Sequence, residues 1–352
     1  MLNPYIAVES LPFFVVTILS FILMYHLASV GRRIGLVDRP DGRKRHDDSV
    51  PLVGGISIAI AVFLSAMLAP FGLSEFRYLF FCLGVLIVVG VLDDAQDISP
   101  GVKFLAQFGV ATILVIWDGS IVANIGDIFS WNDGNRQGLG RLTYPLTIVA
   151  IVGVINAFNM VDGHDGVAST IFLITAGSLL LLCNFNDSWK YQYILAIFFC
   201  SVAVHLLFNI GIVGGKSHQI FLGDAGSMFL GLVVVYMLIN LSKGDIPVVK
   251  TASAPWLIGI PLLDMFSVIV LRIVQNKSPF RADRQHIHHF LTGKGFSKSR
   301  ILATLVTAHF GFCAIGVVGT RLDVPDWQLF WTMFVVYAMY LSWAYRKIKT
   351  FQ

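Results

Sequence analysis

Cysteine is scarce: Cys82, Cys183, Cys200 and Cys313 are the four in 352 residues. Each sits inside an apolar run, without a C-x-x-C pair or the spacing of a metal site, so they read as small core residues. Charge is scarce too, at 13% of residues against 56% hydrophobic, which removes the chain from the soluble globular class. The net charge of +4 is too small to indicate a nucleic-acid partner. No Lys or Arg precedes Arg32, so the apolar run 11–30 lacks the basic start and short core of a cleaved signal peptide, and it is expected to stay as a first membrane span. There is no clear internal repeat, low-complexity tract or soluble domain, so residues 1–352 read as a single membrane domain.

What is present in quantity is long apolar runs. Eleven candidates for membrane spans lie near 11–30, 51–70, 76–92, 103–118, 143–160, 167–183, 191–209, 226–241, 254–274, 301–320 and 327–345. The expected fold is an all-α, polytopic membrane protein of about eleven transmembrane helices. Sorting Lys and Arg by side gives 18 on one set of connections and 7 on the other. The positive-inside rule then places the N-terminus outside and the C-terminus in the cytoplasm.

With that orientation the polar motifs gather on the cytoplasmic face. Asp93, Asp94 and Asp97 follow the third span in "VLDDAQDISP"; "NAFNMVDGHDG" closes the fifth; "IFLGDAGS" precedes the eighth; "SPFRADRQHIHHF" joins the ninth and tenth. Adjacent carboxylates repel, and at a membrane boundary the pair Asp93-Asp94 calls for a shared cation or proton, or else for a solvated turn. Asn156, Asn159, Asp162 and Asp165 recur every three residues, along one side of any helix that continues through them, although Gly163 and Gly166 argue that it opens into a turn. Small neighbours around Asp224 let a phosphate or metal approach the backbone. Arg281 and Arg284 offer forked donors for phosphate oxygens, beside the imidazoles of His286, His288 and His289. A histidine cluster raises zinc first, but the flanking arginines, the lack of Cys and the wealth of Asp and Asn fit Mg²⁺ with phosphates. Carboxylates with an Arg/His loop describe a site for a metal-bound diphosphate.

The segments "GLVDRPDGRKRHDDSVPLVGG", "LDDAQDIS", "NAFNMVDGHDG", "FLGDAGS", "PLLDM" and "SPFRADRQHIHH", in this order over about residues 35–290, resemble the polyprenyl-phosphate N-acetylhexosamine-1-phosphate transferase family. The likeness is greatest to its bacterial branch using UDP-N-acetylglucosamine and undecaprenyl phosphate. The resemblance implies an enzyme of the bacterial inner membrane that moves a sugar 1-phosphate from a UDP-sugar donor to the lipid acceptor, releasing UMP and initiating a cell-surface glycan. It further implies Mg²⁺, for which Mn²⁺ can substitute, on Asp224 and Asn159, and Asp93 and Asp94 as the catalytic pair. By motif position Asp162, Asp165 and Phe221 hold the uridine, and Arg281, Arg284, His286, His288 and His289 close over the sugar diphosphate. Asp97 and "HIHH" favour the N-acetylglucosamine branch, while His164 stands where the family usually has an aliphatic residue.

Other readings stay open at this point. Another UDP-N-acetylhexosamine would serve the same chemistry. An ion- or proton-coupled transporter also has many spans and carboxylates, although its sites tend to lie at mid-membrane in matched repeats. The stretch Arg43, Lys44, Arg45 and His46 suits anionic lipid, substrate phosphate or topology alone; Lys44 and His46 are counted among the substrate-binding candidates. Asp264, inside an apolar run, is either functional or a helix-to-helix hydrogen bond. His26 and His205 read as packing residues, and a homodimer is left open.

Overall fold

The computed structural model describes residues 4–38, 49–129, 138–183, 188–244, 247–278 and 286–351, with side chains from Ser10 to Arg346 within them. Lys44, His46, Arg281 and Arg284 lie outside the described residues.

The chain is almost wholly helical. In order come α1 (Pro4–Ile34), the strand pair β1 (Val37–Asp38) and β2 (Val50–Pro51), then α2 (Gly54–Ala66), α3 (Arg77–Gln96), α4 (Pro100–Ile116) and α5 (Thr143–Val161). They are followed by α6 (Val167–Cys183), α7 (Trp189–Asn209), α8 (Gly223–Leu241), α9 (Ala254–Leu257), α10 (Gly259–Val274), α11 (Ile287–Gly293), α12 (Lys298–Arg321) and α13 (Asp326–Phe351). Every one of the eleven expected segments carries helix. Six stretches are long and apolar enough to cross a membrane among the described residues, in α1, α3, α5, α7, α8 and α12, while α2, α4 and α6 are apolar but shorter. The outer surface is apolar as well: Phe14, Leu105 and Phe310 are 65%, 74% and 64% exposed. Water would not tolerate such a belt, whereas lipid does, and the backbone's hydrogen bonds are closed within helices as lipid demands.

Helix α8 is the axis of the bundle. It is apolar all round, the pattern of a helix with no solvent face, and every residue except Asp224 and Asn240 is buried. Its main neighbours are α3 and α5, with α2 beside them. Small residues permit the approach: a Cβ on Gly55 of α2 would lie 2.3 Å from the Gly226 amide nitrogen, and one on Gly90 of α3 would lie 2.2 Å from Ala225 Cα. Backbones held this close are the usual means of packing helices where lipid supplies no hydrophobic drive.

The segment 254–274 is not one continuous helix. Ile258 leaves helical geometry at φ −127° between α9 and α10. The cause is Pro261, which has no N–H for the carbonyl four residues back and whose ring crowds it. That carbonyl belongs to Leu257, and it takes the Thr175 hydroxyl instead at 2.7 Å, with Cys313 Sγ at 3.5 Å. The buried polar group is thus satisfied from α6 and α12, and the break persists.

Candidate active site

Helix α3 ends at the first aspartates. Asp97 adopts the left-handed conformation at φ 51° and returns its N–H to the Asp93 carbonyl, so Asp93 and Asp94 occupy the last helical turn. Asp94 then reaches across to α8. Its Oδ1 accepts the Asp224 amide at 2.8 Å and its Oδ2 the Ala225 amide at 3.3 Å. A carboxylate on the first amides of a helix satisfies orphan donors and matches the positive end of the dipole. Gly223 makes the entry possible, since it holds φ +73° and a Cβ there would meet Asp94 Oδ2 at 2.5 Å.

Asp93 faces the other way. Its Oδ2 takes the Lys103 ammonium at 2.7 Å, and the same Nζ lies 3.3 Å from Asp224 Oδ2. The Asp93 and Asp224 carboxylates are also within hydrogen-bonding reach of each other. Asp93 Oδ1 is buried with no hydrogen-bond partner. Two touching carboxylates and an orphaned oxygen, served by one amine, form an anionic pocket with room in its electrostatics for a further cation. In the sequence Lys103 reads only as one of the 18 Lys and Arg residues of the more basic set of connections. Its place ten residues after Asp93, at the polar start of an otherwise apolar helix, is the signal that marks it.

The opening of α5 answers the three-residue pattern. The helix stops at Val161, so Asn156 and Asn159 are helical, Asp162 is the terminal residue, and Asp165 lies on the turn that Gly166 closes. Asn156 turns to α4 and donates to Gln107 Oε1 at 2.6 Å. Asn159 places its amide nitrogen 2.9 Å from Ser227 Oγ and beside Asp224. Asp165 pairs with Lys298 at 3.1 Å. Burial pushes the Asp162 carboxyl well above its ordinary range, and the charges of Asp224, Asp94 and Asp165 push it the same way.

The histidines arrive from α11. His288 is buried, and its ring lies against Gly163, where a Cβ would sit 2.6 Å from Cε1. Its pKa is pushed down to about 3, chiefly by burial and then by the neighbouring imidazoles His289, His286 and His164. His288 therefore stays neutral. His289 packs on it with ring centroids 4.2 Å apart. His164 is lowered as well, mainly by burial. Phe221 is fixed by its backbone, donating to the Pro51 carbonyl at 2.8 Å and accepting from the Gly54 amide at 2.9 Å. Pro51 of β2 and the first amides of α2, at Gly54 and Gly55, thereby hold the lead into α8.

From this cluster a cavity of about 1520 Å³ runs into the bundle, with Lys103, Asn159, Arg272 and His286 among its lining at one end and Lys243 at the other. Along α8 its wall extends from Met228 to Ser242, or ~21 Å at 1.5 Å per residue. Val152, Leu238, Ile258, Leu262 and Met265 make it apolar in between. The break at Ile258 supplies part of that wall.

Among the described residues no group of three or more His, Cys, Asp or Glu side chains is arranged as a metal cage. Mg²⁺ rarely has one; it is held by one or two carboxylates together with water and substrate phosphates. Asp224, the Asn159 amide oxygen and the unpartnered Asp93 Oδ1 are hard oxygen donors of that kind and fit it.

The model of glycosyl transferase family 4 matches residues 76–242, the stretch from α3 to the end of α8. The chain is 32% identical over 332 residues to the undecaprenyl-phosphate alpha-N-acetylglucosaminyl 1-phosphate transferase of Yersinia pestis, covering 93% of this chain and 90% of that one. The enzyme of the same description from Escherichia coli K12 is 30% identical over 321 residues (91% and 86%), and that of Haemophilus influenzae is 32% identical over 341 (94% and 92%). With such relatives matched over 91–94% of its length, the chain belongs to glycosyl transferase family 4.

Proposed function

We propose that this protein transfers N-acetylglucosamine 1-phosphate from UDP-N-acetylglucosamine to undecaprenyl phosphate, forming undecaprenyl-diphosphate-N-acetylglucosamine and UMP. The observation that carries the reading is the Asp93–Lys103–Asp224 cluster at the mouth of a long apolar cavity. A lipid phosphate needs both: somewhere for its chain and a charged site for its head. The relatives' descriptions name the undecaprenyl-phosphate acceptor and the N-acetylglucosaminyl 1-phosphate group that is moved. The protein is a single domain of eleven spans in the bacterial inner membrane, its N-terminus outside and its site at the cytoplasmic face, where 18 of the 25 Lys and Arg residues lie. One core cluster that extends from α1 to α12 supports the single domain.

In the reaction an oxygen of the lipid phosphate attacks the phosphorus that bears the sugar. The bond from that phosphorus to the bridging oxygen breaks, and UMP leaves with the electron pair. The second pKa of a phosphate monoester is near 6, so the acceptor is largely dianionic at neutral pH and needs orientation more than deprotonation. Asp93 and Lys103 orient it at the cavity mouth, and Lys103 stabilises charge that develops during displacement. Asp94 acts one step back by fixing the first turn of α8, on which Asp224 rides. Asp162, Asp165 and Phe221 form the nucleotide pocket. His286, His288 and His289 close over the diphosphate, and Arg281, Arg284, Lys44 and His46 remain substrate-binding candidates by their motifs alone. Asp224 and Asn159 would hold Mg²⁺, which would supply neutralisation of the diphosphate charge.

The test is UMP release by purified protein given undecaprenyl phosphate and a panel of UDP-sugars, with and without Mg²⁺, beside Asp224→Ala. UMP that requires lipid, metal and UDP-N-acetylglucosamine is the expected result. Use of another UDP-N-acetylhexosamine would replace the donor, and no lipid-dependent UMP from any donor would overturn the reading.

A further inference from the structure

Asp264 is buried to 1% exposure in the apolar body of α10, a costly place for a carboxylate without partners. Its partners come from the loop that carries the histidines. Oδ2 meets His286 Nδ1 at 2.9 Å, and Oδ1 accepts the Ile287 amide, the first of α11, at 2.8 Å. His286 is itself among the residues that line the cavity, as Lys103 and Asn159 are. A carboxylate on Nδ1 keeps the proton on that nitrogen, so Nε2 is the nitrogen left for the cavity, and it is held there as an acceptor or, when protonated, as a cationic donor. The same carboxylate–imidazole arrangement orients the histidine in hydrolytic triads.

We infer that Asp264 is a positioning residue for phosphoryl transfer: it fixes the tautomer and orientation of His286 so that Nε2 is presented to the substrate diphosphate. The inference rests on the transferase reading above. It uses Asp264 for chemistry at the loop, not for pairing two helices across the membrane. The two hydrogen bonds can be separated by one substitution. In Asp264→Asn the amide oxygen still accepts the Ile287 amide, while the amide nitrogen faces His286 Nδ1 and forces the imidazole into the opposite tautomer. The loop stays anchored and Nε2 becomes a neutral donor.

The experiment measures kcat and KM for UMP release from UDP-N-acetylglucosamine and undecaprenyl phosphate in wild type, D264N, H286N and the double variant D264N/H286N, with melting curves for each. The expected result is a fall in kcat of about 10²-fold or more in D264N, with KM for the UDP-sugar within about threefold and the melting temperature retained. H286N should fall comparably, and D264N should cost nothing further in the H286N background, because the residue acts through the imidazole. A wild-type kcat in D264N, multiplicative losses in the double variant, or a D264N protein that no longer folds would each overturn the inference. Absence of UMP from the wild type would remove the transferase reading and this inference with it, whereas an active wild type beside an equally active D264N removes this inference alone.

Discussion

Helix α3 holds two glycines that provide a matched pair of substitutions. A methyl group on Gly90 would come within 2.2 Å of Ala225 Cα and 2.5 Å of its amide nitrogen, whereas one on Gly84 would meet nothing within 4 Å. Carbon atoms rest at ~3.5–4.0 Å, so Gly90→Ala forces α3 and the first turn of α8 apart by roughly 1.5 Å. Neither obstructing atom can rotate away, because both are backbone. Overpacking of this kind costs about 1–3 kcal/mol, and replacing a helical Gly by Ala returns about 1 kcal/mol. The net loss of stability is therefore only ~2 kcal/mol at most. Activity is the sharper reading, because the displaced turn bears Asp224 and the amides that bind Asp94, and a misplacement of about 1 Å costs on the order of 10²-fold in rate. Gly84→Ala should keep wild-type UMP release and melt at or slightly above the wild-type temperature. Gly90→Ala activity within about threefold of Gly84→Ala would refute the claim that close backbone contact between α3 and α8 sets the geometry of the site.

Lys103→Met removes the cation shared by Asp93 and Asp224, and kcat for UMP release should drop by about 10²–10³-fold, the usual cost of losing one preorganised charge stabiliser; a loss under fivefold would count against Lys103 at the acceptor phosphate. The aspartate pair should separate by stability: Asp94→Ala loses the cap of α8, about 1–2 kcal/mol, while Asp93→Asn relieves a crowded carboxylate and leaves the melting temperature unchanged or higher. Equal melting shifts for the two would contradict the division between the carboxylate that caps α8 and the one that faces the acceptor. His288 gives a pH prediction, since its pKa falls from 6.5 to about 3 on folding. The unfolded chain then binds the extra proton below pH 6.5, so stability is full above that value and is lost as pH falls toward 3, by about 2 kcal/mol at pH 5. His288→Gln should flatten the fall in melting temperature between pH 7 and pH 5, and an unchanged slope would mean that the buried imidazole is not its source.

Much of this was legible in the chain because membrane helices announce themselves by composition. Each of the eleven apolar runs carries helix, and the four polar motifs end at one end of the bundle as their charge pattern indicated. What escaped was set by tertiary contact. The segment 254–274 reads as one hydrophobic run, yet Pro261 denies Leu257 its partner, and whether that breaks or merely bends a helix depends on Thr175 and Cys313 being there to take the carbonyl. Lys103 is 121 residues from Asp224 and meets it at 3.3 Å; no periodicity encodes such a pairing. Asp264, inside α10, and His286 are 22 residues apart, so a polar group in an apolar run could be flagged but its partner could not be named. Asp93 and Asp94 were equivalent as letters, and only their opposite directions from the last turn of α3 distinguish them.

That difference in direction explains why the most buried helix of the bundle begins with an aspartate. A helix as apolar as α8 leaves its first amides without partners, and in lipid each unmet amide is costly. Asp94 meets two of them from the neighbouring helix. The price of entry is a carboxylate at the boundary, and once one is there, Asp93 on the next residue and Asp224 on the capped turn bring two more into its field. Lys103 answers only part of that charge, since Asp93 Oδ1 remains buried and unpartnered. Three carboxyl groups around one ammonium next to an apolar cavity disfavour a dianionic lipid phosphate unless protons or cations accompany it. A metal-bound diphosphate donor brings that cation with it. On this electrostatic ground the lipid phosphate should bind more tightly after the nucleotide and Mg²⁺ than before, and equilibrium binding of undecaprenyl phosphate measured with and without Mg²⁺ and UMP checks it. Affinity that is unchanged by either addition would show that Lys103 and the loop cations already balance the carboxylates.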